Sequence, residues 1–155
     1  MSRILLLLPL VLLSSCAVTK RSSGTGPLNT EDKVDVRKYS GKWYEIARFP
    51  NIFQRGCVSA TAEYSVKPDG SIRVVNTCIR ADGSTRSITG SARPVDASAN
   101  RLKVTFSDSL YAKFIPVPDE GNYWIIHVGQ GYRHAIVGTP DRKSLWLLSR
   151  SSSIS

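Results

Sequence analysis

The chain has 155 residues, 21 Lys and Arg against 12 Asp and Glu, and a formal charge of +9. That length suits a single domain, and a composition of 41% hydrophobic and 21% charged residues excludes a disordered chain and one embedded throughout in lipid. Eleven Gly, eight Pro and a single Met argue against a coiled coil or helical bundle. The positive excess turns attention to anionic partners, and three cysteines leave one unpaired if the others form a bridge.

Taken in chain order, Arg3 is followed by an apolar run over residues 4–13 broken only by Pro9, and then by Ser14, Ser15 and Cys16. A basic start, a short apolar core and small residues form the pattern of a secretory signal over residues 1–15. About ten apolar residues are too few to span a hydrocarbon layer of about 30 Å. Leu13-Ser14-Ser15-Cys16 resembles the lipobox of bacterial lipoproteins. The resemblance implies cleavage before Cys16, a diacylglycerol on its thiol and an acyl group on its new amine. Several acyl chains anchor a protein far better than one. Ala17, in place of an Asp, implies sorting to the outer membrane, facing the periplasm. Removal of the signal leaves a mature chain of about 140 residues with a formal charge of about +8. Residues 16–30, rich in Ser, Gly and Thr, read as the lipidated end and a flexible tether.

From residue 31 onward a folded domain is expected to run to residue 155. After Gly41 the hydropathy alternates with period two. Strands are predicted over 42–49, 58–66, 71–79, 86–95, 101–106, 123–128, 132–138 and 144–150. Lys67-Pro68-Asp69-Gly70, Ala81-Asp82-Gly83-Ser84 and Thr139-Pro140-Asp141-Arg142 supply turn chemistry between them. Only residues 35–39 fit a short helical turn. Eight consecutive antiparallel strands can close on themselves into an all-β, up-and-down barrel. Alternation puts Ala60, Ala62 and Tyr64, then Ile72, Val74 and Asn76, then Leu102, Val104 and Phe106 on one face. The other face carries Arg73, Arg86, Arg101 and Lys103 among Ser and Thr. In a closed barrel the apolar face points inward, either filled or holding one small ligand.

Residues 41–50 (GKWYEIARFP) resemble the first-strand signature of the lipocalins, with its G-x-W-Y core, and Leu145-Trp146-Leu147-Leu148-Ser149-Arg150 resembles their last-strand motif. Residues 32–39 resemble the helical turn under the barrel, and residues 51–57 the loop over its open end. With the lipobox, the chain is similar to bacterial lipocalins of the outer membrane. The resemblance implies structural roles for Gly41, Trp43 and Arg150, the guanidinium lying on the indole face to close the floor. It also implies a fatty acid or lysophospholipid as ligand, bound for storage or transport in envelope maintenance under stress. The expected lumen residues are Ala62, Tyr64, Val74, Asn76, Val104, Phe106 and Trp124. Two departures stand out: the turn after the sixth strand reads His127-Val128-Gly129-Gln130-Gly131 without an acid, and only Ser-Ser-Ser-Ile-Ser follows Arg150 where the family has a long helix. Apolar surface left by that helix would favour a homodimer.

An oxidising compartment would join Cys57 to Cys78, closing a loop of about 22 residues worth roughly 3 kcal/mol. The alternative is two free thiols, one of them the reactive group of an isomerase-type lipocalin. A third reading is a filled barrel serving as an interaction module. His127 and His134 lack zinc-ligand spacing, Gly129-Gln130-Gly131 lacks the helix of a phosphate loop, and no nucleophile–base–orienter set emerges. The expectation is therefore a binding protein and no enzyme, with no metal and no cofactor. Without an aromatic stacking platform the basic face does not read as a nucleic-acid site.

Overall fold

The computed structural model describes residues 26, 28–106 and 116–154. The expected signal segment 1–15 and Cys16, the expected site of lipidation, lie outside the described residues. A short helix α1 (Val36–Tyr39) precedes β1 (Gly41–Arg48), β2 (Cys57–Val66), β3 (Ile72–Arg80), β4 (Thr85–Pro94), β5 (Arg101–Thr105), β6 (Tyr123–Val128), β7 (His134–Gly138) and β8 (Leu145–Ser149). The strands pair in sequence order and β8 returns to β1, giving a closed antiparallel barrel. Every strand predicted from the alternation is present, displaced by one or two residues at some ends. The largest difference is at residues 132–133. Tyr132 ends a 3-10 turn with φ +57°, so β7 starts only at His134.

Local chemistry explains the turns. The Asp69, Asp82 and Asp96 carboxylates each accept from the backbone N–H two residues on, at Ser71 (3.0 Å), Ser84 (2.9 Å) and Ser98 (2.8 Å). These are Asx turns, in which a short acid does the work of a backbone carbonyl. Gly90 has a different reason to be glycine. A Cβ there would stand 2.4 Å from the Thr105 carbonyl oxygen and 2.7 Å from the Phe106 ring, so its absence lets the ring lie against β4. In β1 a register shift between Glu45 and Ala47 lets one strand pair with both β2 and β8, the usual way a bulge bends a strand toward closure.

The core is one cluster inside the barrel. It includes Val34, Tyr39, Trp43, Tyr64, Ile72, Val74, Ala92, Leu102, Val104, Ile125, Ala135, Val137 and Leu148. These positions crowd toward the end that α1 covers. No helix follows Arg150 among the described residues, and Ile154 is exposed. The segment before α1 lies against the barrel wall. Val34 N–H donates to the Ser98 carbonyl (2.8 Å), Glu31 N–H to the Ile125 carbonyl (3.0 Å), and Asn100 Nδ2 to the Glu31 carbonyl (2.6 Å). Farther back, Arg142 donates to the Gly26 carbonyl, so the described end of the expected tether is attached to the domain.

Candidate functional site

The barrel has a sealed end and an open end, and the sequence builds them differently. At the sealed end Asp35 caps α1 by accepting from Arg37 N–H (2.9 Å) and Lys38 N–H (3.2 Å). That turn carries Tyr39 under the strands. Trp43, with no exposed surface, donates its indole N–H to the Tyr39 carbonyl at 2.8 Å. Arg150 lies 3.7 Å from the Trp43 ring centroid, and its guanidinium reaches five backbone carbonyls, those of Lys38, Tyr39, Ser40, Lys42 and Tyr132. Burial lowers the Arg150 pKa from its ordinary value, with the nearby Tyr39 opposing. Gly41 adopts φ +93°, and a Cβ on it would come within 3.3 Å of Arg150 Nη1. The roles expected of Gly41, Trp43 and Arg150 thus correspond to contacts that plug the floor.

Above the plug sit three phenols. Tyr123 Oη bonds Tyr39 Oη at 2.8 Å and Tyr64 Oη at 3.0 Å. Burial pushes all three upward, Tyr64 to about 12 and Tyr39 and Tyr123 well above the usual tyrosine value. They remain neutral hydroxyls, giving the bottom of the lumen a small polar patch in apolar walls.

Among the expected lumen residues, Tyr64, Val74 and Val104 are buried in the core at 5%, 2% and 8% exposure. Ala62 and Phe106 are partly buried against it. Asn76 faces inward beside them, opposite Ala62 on β2 and Ile88 on β4, and its shielded Oδ1 accepts no hydrogen bond. Trp124 requires correction. Leu102 pairs with Tyr123, whose hydroxyl is inside, so Trp124 and its partner Arg101 occupy the outer face. There the Arg101 guanidinium sits 5.3 Å from the indole centroid, and Trp124 Nε1 donates to the Glu120 and Gly121 carbonyls (3.0 and 3.1 Å). Tyr123, missed in the sequence, is the inward aromatic. The signal that could have found it is cross-strand parity with Leu102, which requires the β5–β6 register.

At the open end Glu45 points inward with a side chain only 8% exposed. Its carboxylate accepts from Arg48 Nη1 (2.6 Å) and Gln54 Nε2 (2.6 Å), while Gln54 Oε1 accepts from Trp146 Nε1 (3.0 Å) and Asn51 Nδ2 (2.7 Å). Arg48 also donates to the Cys57 carbonyl at 3.0 Å. This network fixes the β1–β2 loop, residues 49–56, at the rim. Alternation alone gave no hint of Glu45, since a carboxylate on the inner face breaks the apolar rule. Cys57 and Cys78 form a disulfide with Cα atoms 5.4 Å apart, tying the start of β2 to β3.

His134 is exposed, as the flanking buried Ala135 and Val137 require. His127 is exposed and bonds Glu31 Oε1 at 2.9 Å, and the same oxygen accepts from Val128 N–H at 2.7 Å. A carboxylate thus reaches the acid-free turn from the N-terminal segment. On the outer wall Lys103 is paired with Asp119 at 2.9 Å, while Arg73 and Arg86 are exposed. Among the described residues no cluster of His, Cys, Asp and Glu could hold a metal, and no helix is long and apolar enough to cross a membrane.

The family model of the lipocalin-like domain matches residues 34–155. Outer membrane lipoprotein Blc of Escherichia coli (strain K12) is 39% identical over 96% of this chain and 82% of its own length. Temperature-induced lipocalin-1 of Arabidopsis thaliana is also 39% identical, over 77% of this chain; the match covers 64% of the plant protein, less than two thirds of it. Among solved structures, the cockroach allergen Per a 4 superimposes with a TM-score of 0.57 at 18% identity, covering 84% of this chain and 76% of its own. Lobster apocrustacyanin A1 gives 0.55 at 20%, covering 77% and 64%. These two likenesses speak to the fold.

Proposed function

Since the chain belongs to the lipocalin-like family, we propose that it holds one fatty acid or lysophospholipid in its lumen and is tethered to the outer membrane, facing the periplasm, through lipid on Cys16. In this reading the chain stores or moves such lipids to maintain the envelope under stress. The observation that carries the binding proposal is a difference in cover along the inner wall, nearly complete at Tyr39, Trp43 and Val74 and incomplete at other inward positions. Ala62, Asn76, Ile88 and Phe106 are only part-buried, and Asn76 Oδ1 is free to accept from a ligand hydroxyl. An acyl chain entering this space gains about 0.8 kcal/mol per buried CH₂. The anchor rests on the lipobox at Cys16 and on similarity, across most of the chain, to a protein named as an outer membrane lipoprotein.

The isomerase alternative needs a free thiol in the lumen, and Cys57 and Cys78 are bonded to each other. That favours binding over catalysis. The decisive experiment is delipidation followed by titration with a fluorescent polyene fatty acid, read by quenching of the inward Trp146. Saturable binding at one site is expected. Ala62→Trp, which fills the space beside Asn76, should weaken it at least about tenfold, the loss of a methylene or two of contact, with the circular dichroism unchanged. Absence of saturable binding, or equal binding by the filled variant, refutes the lumen reading.

A further inference from the structure

Among the described residues, the most exposed large apolar side chains lie together at the open rim. Ile52 is 75% exposed, Phe53 69% and Val58 65%. The first two project from a 3-10 turn that leaves them no choice. Gln54 is held to Glu45, Asn51 and Trp146, and Asn51 Oδ1 caps the turn by accepting from Gln54 N–H at 3.0 Å. With Gln54 turned toward the barrel, its two predecessors point outward. The disulfide between Cys57 and Cys78 stiffens the base of this rim next to Val58.

Charge flanks the apolar tip on three of the described connections, with Lys143 lying 3.7 Å from Asp141. The β1–β2, β3–β4 and β7–β8 connections and their flanks expose Arg55, Arg80, Arg86, Arg142 and Lys143, against Asp82 and Asp141. Two of the three loops are neighbours in space, since Phe49 N–H donates to the Leu145 carbonyl at 2.9 Å. The chain continues toward its N-terminus from the same end, because Gly26 is held by Arg142 of the β7–β8 loop. An apolar wedge flanked by cations is the pattern of a surface that sinks shallowly into a bilayer of anionic lipids.

We propose that the open rim is a membrane-docking surface, with Ile52, Phe53 and Val58 entering the headgroup layer and Arg55, Arg80, Arg86, Arg142 and Lys143 meeting lipid phosphates, so that the barrel stands mouth-down on an anionic bilayer. This goes beyond lipid binding in the lumen and needs neither a loaded barrel nor an acyl group on Cys16. A ligand would pass between bilayer and lumen without crossing bulk water.

The test uses the full chain in vesicles of phosphatidylethanolamine and phosphatidylglycerol with shallow-brominated acyl chains. Two variants each add a tryptophan to the parent's three: Phe53→Trp at the rim, and Lys67→Trp in the exposed β2–β3 hairpin at the floor. The added emission of Phe53→Trp should shift to the blue and be quenched at least about twofold more than that of Lys67→Trp. The difference should shrink in phosphatidylcholine vesicles, and with Arg55→Glu and Arg80→Glu together. Equal quenching of the two reporters, or stronger quenching at the floor, overturns the proposal. So does an unquenched Phe53→Trp whose blue shift in solution depends on protein concentration, since a second copy would then be covering the tip. Because the readout is position and not ligand uptake, it stands or falls separately from the titration of the lumen.

Discussion

Five carbonyl oxygens converge on the Arg150 guanidinium while its face lies on Trp43, and no other side chain offers that geometry. Lysine has one nitrogen and no plane, so Arg150→Lys should recover little of what Arg150→Ala loses. A cost of roughly 3 kcal/mol is expected for the alanine variant from unpaired carbonyls and the lost stack, measured as a lower urea midpoint. The three phenols above the plug make a prediction about pH. Their folded pKa values are raised, so the associated stability is fully present below the ordinary tyrosine value of 10.0 and is lost as pH rises toward about 12, the value for Tyr64. Tyrosinate absorbance from Tyr39, Tyr64 and Tyr123 should therefore appear together with loss of near-ultraviolet dichroism. Ionisation of these three with the fold intact would contradict the buried cluster.

At the level of elements, the disulfide and the closest strand approach are the points to press. Removing the bridge with Cys57→Ser and Cys78→Ser should cost roughly 3 kcal/mol if it acts on the unfolded chain, with denaturant midpoints giving the comparison. Gly90→Ala drives a methyl into the Thr105 carbonyl and the Phe106 ring, and about 2 kcal/mol of destabilisation is expected from such overpacking. Much at this scale was legible in the sequence, because half-buried strands alternate and Asp-x-Ser turns carry their own hydrogen bonds. The failures have physical causes. Trp124 looked like a lumen residue because size and hydrophobicity favour burial. Parity across β5 and β6 instead assigns the inner face to Tyr123, and an indole can satisfy itself outside under an arginine. Residues 132–133 read as extended because Tyr suits a strand, yet the chain turns there, with Tyr132 at positive φ. Glu45 breaks the alternation of β1, and its partner Gln54 reaches it only after the β1–β2 loop folds over the rim, although Arg48 lies three residues on in the same strand.

For the whole molecule, strand closure spreads stability around the barrel, whereas the segment from Gly26 to Glu31 is held by a handful of bonds to the outside, and only with Val34 does the chain enter the core. Native-state hydrogen exchange should show this. The Glu31 amide is expected to exchange through local opening, well ahead of those paired between β2 and β3, and equal protection would mean that this segment is integral to the barrel. The arrangement would matter to a domain fastened through Cys16, as in the proposed reading. Tension on the N-terminus, from a flexing envelope or a laterally drifting anchor, would fall first on Gly26 and Arg142 and then on Glu31, peeling bonds one after another. About eight residues would pay out, some 25–30 Å of slack at about 3.3–3.6 Å each, before any load reached α1 and the plug beneath the tyrosines. The segment is in effect a sacrificial spring, one that yields so that the vessel behind it keeps its shape.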